Sequence, residues 1–213
     1  MNIAFSSDRT GFPLVHLTEL GYDVHLLPVT KSQFEQFASS DPIFRVIYEH
    51  ARALNPLPLG VPKRGSKKPV IAQRFMTGVL PEEALQFAVW LDNNEPTSDY
   101  ALPNVAEWRA VYDCLQYERC EQYIDDILEN SPGDDANQLI QSILKKQPQT
   151  LLELSMMRNG VIEWVHSESD WVGLGTPAPA FYPNTFEPLL ECVEPVDATQ
   201  RMRPFGFRLI RTF

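Results

Sequence analysis

Two phrases near the end of the chain decide its reading: Asn159-Gly160-Val161-Ile162-Glu163-Trp164-Val165 and Gly206-Phe207-Arg208-Leu209-Ile210-Arg211. The first alternates apolar and polar residues around a tryptophan, the pattern of a strand with one buried face. The second is an apolar, strand-like run carrying two arginines. Between them lies a proline-rich, weakly periodic segment of the kind that forms surface loops. The two phrases are read as strands that close the fold, and the loop between them as a recognition surface.

Outward from these phrases, a chain of 213 residues can bury a sizeable core in one domain. It has 18 prolines against 10 glycines, which calls for long packed connections rather than a regular alternation of helices and strands. The net charge of -10 argues against general nucleic-acid binding, because phosphate contacts need clustered Lys and Arg. The one basic cluster, Lys63-Arg64-Gly65-Ser66-Lys67-Lys68, reads as a solvated loop. No leading basic and apolar segment resembles a signal peptide, and no run approaches the ~18 apolar residues of a spanning helix. With only Cys114, Cys120 and Cys192, a disulfide framework is not expected, and a reducing cytoplasm is the expected location.

Short strands are expected at Ile3-Ala4-Phe5, Val15-His16-Leu17 and Val24-His25-Leu26-Leu27, with Gly21 between the last two. Thr30 and Gln33 form a capping box ahead of a short helix bearing Phe34 and Phe37, and Asp41-Pro42 stops it. A second helix over Ile43–Leu54 would bury Ile43, Val46, Ile47, Ala51 and Leu54, and Val70-Ile71-Ala72 reads as a strand. Pro81, Glu82 and Glu83 open the clearest helix, with Ala84, Leu85, Phe87, Ala88 and Leu91 as its buried stripe. Asn104 and Glu107 cap another, with Trp108, Val111, Tyr112 and Leu115 on one face. Acidic helical pieces follow at Glu121–Glu129 and Asp134–Gln147.

Leu102-Pro103-Asn104-Val105-Ala106-Glu107-Trp108 resembles the LPTEAEW signature of the formylglycine-generating enzyme (sulfatase-modifying factor) family. The stretch Val79 to Leu91 is similar to that family's VSWEDAxAFCxWL, and Pro28 to Phe37 to its EVTNAQYxxF. Residues 159–165 resemble a degraded GNVWEWV, and the terminus matches GFRLVR. The resemblance implies one α+β domain over residues 1–213 with a C-type-lectin-like fold, and an acidic helical insertion at about 118–147 stands where the enzymes carry a Gly- and Asn-rich loop.

Function does not travel with fold. The family's oxidases bind copper through two cysteines following a Gly-Gly-Ser-Trp phrase. The matching stretch here is Val172-Gly173-Leu174-Gly175-Thr176, followed by Pro177-Ala178-Pro179-Ala180, with no cysteine. A thiolate copper site needs at least two converging sulfurs, so formylglycine generation is not expected. The family's calcium site keeps Glu163, but Met156 replaces an oxygen ligand seven residues earlier, so calcium is not expected either.

The remaining chemistry is sparse. His16, His25, His50 and His166 form no zinc-binding spacing. His166 lies beside Glu168 and Asp170, the trio an enzyme of altered mechanism would use, although a surface histidine is the commoner meaning of such a group. Gly173-Leu174-Gly175 falls short of a phosphate loop, and no Gly-x-Ser-x-Gly elbow occurs. Trp108 and Trp164 read as core. Trp171, Phe181, Tyr182 and Phe186, with Arg201 and Arg203, are the candidate binding residues, since aromatic and arginine side chains on proline-stiffened loops are the usual interface anchors. The alternative is that the aromatics pin the loop to the body.

Taken together, the expectation is a non-catalytic binding module without a cofactor. The resemblance implies an accessory protein docking on a partner protein in a bacterial signalling or defence system. A modifying enzyme or a small-ligand or glycan sensor are the alternatives.

Overall fold

The computed structural model describes residues 3–54, 71–95, 97–178, 181 and 195–213. Strands β1 (Ile3–Ser7), β2 (Pro13–Leu17) and β3 (Tyr22–His25) form an antiparallel meander, with Gly21 at φ +73° making the second return. Helix α1 (Lys31–Ala38) carries the expected capping box: Gln33 N–H donates to Thr30 Oγ1 at 3.2 Å, and Thr30 N–H donates to Gln33 Oε1 at 2.9 Å.

In α2 (Pro42–Leu54) the buried face is only in part the expected one. Ala51 is buried and Ile47 half-buried as expected, whereas Ile43 and Val46 are 69% and 56% exposed and Tyr48 is buried in their place. Aromatic packing decides this: Phe44 stacks on Phe37 with ring centroids 4.1 Å apart, and Tyr48 stacks on Phe34, which turns Ile43 and Val46 outward. Residues 71–74 form a single 3₁₀ turn rather than the expected strand. A three-residue apolar run carries no periodicity to separate the two, and the turn buries Ile71 and Ala72 side by side.

Helix α3 (Pro81–Asp92) begins at a proline, and the Glu83 carboxylate accepts the Leu80 N–H. It buries Ala84, Phe87, Ala88 and Leu91 as expected, but leaves Leu85 39% exposed. Strand β4 (Asp99–Ala101) leads to α4 (Val105–Leu115), capped by Asn104 and Glu107. The acidic segment forms α5 (Ile124–Glu129) and α6 (Asp134–Leu144). Ile127, Ala136, Leu139, Ile140 and Ile143 are buried in the larger apolar core, so this segment's stripe packs on the domain itself. A short α7 (Leu151–Leu154) precedes strands β5 (Ile162–Ser167), β6 (Asp170–Leu174), β7 (Phe205–Gly206) and β8 (Ile210–Thr212).

The strands make a five-stranded sheet in the order β1-β2-β3-β8-β4 and a three-stranded sheet in the order β6-β5-β7. The terminal run therefore serves both sheets: Phe205 and Gly206 pair in parallel with β5, and Ile210 and Arg211 insert between β3 and β4. Between these pairings Phe207 and Leu209 point into a second core with Phe34, Phe87 and Trp164. The result is an α+β protein. No helix among the described residues is long and apolar enough to cross a membrane.

Candidate functional site

A buried ion pair where the two closing phrases meet frames the site. Glu163 on β5 is 0% exposed and Arg208, just before β8, is 1% exposed. Arg208 Nε donates to Glu163 Oε2 at 3.0 Å and Nη2 to Oε1 at 2.9 Å. Nη1 donates to the His25 and Leu26 carbonyls and Nη2 also to that of Ser155, so all five guanidinium N–H groups are engaged. Trp108 Nε1 adds a donor to Glu163 Oε2 at 2.9 Å. Removing two charges from water is costly, and this pair is tolerated because every donor and both carboxylate oxygens are satisfied.

Through Ser155 the pair also anchors the turn that leads from α7 into β5. Met156 and Asn159 in this turn adopt left-handed backbone, at φ +59° and +61°. Gly160 ends it because nothing larger fits: a Cβ there would lie 2.0 Å from the Met156 carbonyl oxygen. The turn is stitched to the segment after β6, with Gly160 N–H donating to the Thr176 carbonyl and Ala178 N–H to that of Gly160.

Between this turn and the helical segment opens a cleft of about 700 Å³, within the range of small-ligand sites. Its apolar wall comes from Tyr112 of α4, Ile143 of α6, Leu152 of α7, Met156 and Ala178, and its rim carries Lys146, Glu153 and Arg158. The Tyr112 ring stacks on Trp108 with centroids 5.6 Å apart, and the Arg158 guanidinium carbon lies 5.4 Å from its centroid. Tyr112 is 3% exposed, and its hydroxyl is shut off from solvent with no hydrogen-bond partner among the described residues. Buried hydroxyls are rarely left so. Of the four described non-glycine residues at positive φ, Met156 and Asn159 line the cleft and Gln147 sits between the lining residues Lys146 and Pro148. Left-handed backbone costs a methionine roughly 1–2 kcal/mol, and such strain collects where a geometry is held for use.

The residues singled out from sequence lie elsewhere. Trp171 is half-buried on β6, edge-on to His166 with centroids 5.1 Å apart. Phe181 is 5% exposed and belongs to the larger core, so its ring packs inward instead of offering a surface. Arg201 clamps the start of α3, donating to the Glu83 carboxylate and to the Gly78 carbonyl. Arg203 is exposed. Tyr182, Phe186 and Cys192 lie outside the described residues. His166, Glu168 and Asp170 are all exposed on the β5–β6 hairpin, and no hydrogen bond among the described residues joins the histidine to either carboxylate.

The donor set at Glu163 does not fit a calcium ion. Its oxygens face a guanidinium and an indole N–H, and a cation there would meet another cation. Cys120 is buried, its thiol pushed up to about 11 by burial and then by the Glu153 charge, while Cys114 is partly exposed on α4. Among the described residues no group of three His, Cys, Asp or Glu side chains is placed to hold a metal ion.

From the sequence, Met156 is visible only as a lost oxygen ligand, and Lys146, Tyr112 and Arg158 carry no signal of a site. The one local clue is Asn159-Gly160, a pair that favours a tight turn. No protein-family model, curated protein or solved structure matches this chain.

Proposed function

We propose that this chain is a non-catalytic binding module with the C-type-lectin-like fold of the formylglycine-generating-enzyme type, and that it recognises its target through the cleft beside Tyr112. The family reading rests on the five phrases in their order along the chain. The binding reading rests on one observation: a concave cleft with an apolar wall and a charged rim, whose described lining contains neither histidine nor cysteine. Such a cleft offers shape and charge, which suit recognition. The resemblance carries the wider expectation of an accessory protein that docks on a partner protein in bacterial signalling or defence.

A ligand-observed NMR screen of small fragments tests the cleft. Met156→Trp would place an indole in it, and the reading predicts that fragments bound by the wild type are lost in this variant. Fragments held equally by both proteins would contradict it. Stoichiometric copper or iron in the purified protein would overturn the non-catalytic part.

A further inference from the structure

We infer that the ligand of this cleft is a small molecule combining a flat apolar body with one anionic group, a carboxylate or a phosphate. The inference rests on the binding reading above and adds the chemistry of the ligand. Two observations carry it. First, the wall formed by Tyr112, Ile143, Leu152 and Met156 is apolar and fixed: Tyr112 is backed by Trp108, and Ile143 is 1% exposed. A flat body against it would bury apolar surface without ordering new side chains.

Second, the charge at the rim runs against that of the chain. Two cations, Lys146 and Arg158, stand there against the single carboxylate of Glu153, in a protein of net charge -10. Glu153 is already turned to the backbone, accepting the Gln149 N–H at 2.6 Å. Among the described residues neither Lys146 nor Arg158 has an ion-pair partner, and Arg158 lies over the face of Tyr112. A guanidinium there can hold an anion at the edge of the same wall.

The test is a fluorescence titration of the intact chain with anilinonaphthalene sulfonate, a flat apolar body bearing one anion. The uncharged N-phenylnaphthylamine serves as its matched control. The sulfonate is expected to bind saturably at one site and at least about tenfold more tightly than the neutral dye, with an affinity that falls as salt is raised. Arg158→Ala and Lys146→Ala, both at exposed positions, are each expected to weaken it about three- to tenfold. Val89→Ser, in an exposed apolar position on α3, is expected to leave binding unchanged. Competition by naphthoate and by naphthyl phosphate separates the two anion classes by which displaces the dye at lower concentration.

Equal affinity for the neutral dye, or indifference to both Arg158→Ala and Lys146→Ala, would overturn the anionic ligand. If Met156→Trp abolishes binding of both dyes under those results, the cleft survives and only its charge preference is wrong. If Met156→Trp affects neither dye, both readings fail together. Thermal unfolding of each variant shows whether a loss of binding is a loss of fold.

Discussion

Replacing Glu163 by glutamine tests what holds the two closing phrases together. The substitution keeps the shape but removes the charge that balances a guanidinium only 1% exposed. It also turns one acceptor into a donor. If the amide NH₂ occupies the Oε2 position it faces Arg208 Nε and Trp108 Nε1, and at the Oε1 position it faces Arg208 Nη2. Either orientation sets donor against donor. Breaking a buried ion pair from one side costs about 3–5 kcal/mol. In a chain of this size that lowers the unfolding midpoint by roughly 6–20 °C, at about 2–4 °C per kcal/mol. Urea unfolding of wild type, Glu163→Gln, Arg208→Met and the double variant measures it. The double variant should be less destabilised than the sum of the singles, although the His25, Leu26 and Ser155 carbonyls then lose their donor. Strict additivity, or a cost for Glu163→Gln below about 1 kcal/mol, would refute the pairing. The same experiment addresses calcium. A site filled a hundredfold above its Kd would add about 2.7 kcal/mol of stability. Wild type in millimolar calcium and in chelator should unfold at the same midpoint, and a calcium-dependent rise would contradict the account of Glu163.

Three further outcomes are predicted. Burial opposes a charge on Asp8, but the hydrogen bond and charge of His25, with Thr10 and the Phe12 amide, hold its carboxyl below the ordinary 3.8. A depressed folded value means its contribution is complete above about pH 4 and is lost as pH falls through that lower value. Asp8→Asn should therefore flatten the loss of urea resistance in acid, and an unchanged acid limb would count against the pairing. Cys120, with its thiol raised to about 11, should stay unmodified by iodoacetamide at pH 8 in the folded protein and react after unfolding, as peptide mass mapping would show. Thr30→Ala should cost about 1 kcal/mol in urea unfolding, because it removes the acceptor for Gln33 N–H at the start of α1.

Local chemistry was legible in the chain. The caps at Thr30 and Asn104 are side chains whose partners lie three residues away, and both boxes form as expected. The amphipathic α4 buries the expected residues because its stripe is long enough to show a helical period. Where several apolar faces competed, periodicity was silent. In α2 the aromatic contacts of Phe44 and Tyr48 chose the face, and these depend on where Phe34 and Phe37 sit in space. Arg208 reads as one residue of a strand-like run, whereas its partners, His25, Ser155 and Glu163, lie at least 45 residues away along the chain. The cleft was hidden for the same reason. Tyr112, Ile143, Met156 and Ala178 belong to separate segments, and only the fold brings them to one wall. The aromatic loop that drew attention instead contributes Phe181 to the core.

The most direct test of the cleft is a map of backbone amide chemical shifts while anilinonaphthalene sulfonate is added to the labelled protein. The account predicts perturbations concentrated on Tyr112, Gln116, Ile143 to Gln147 and Leu152 to Asn159, around the cleft wall and rim. Perturbations centred on the exposed apolar residues Ile43, Val46, Leu85 and Val89, with the cleft unmoved, would contradict it.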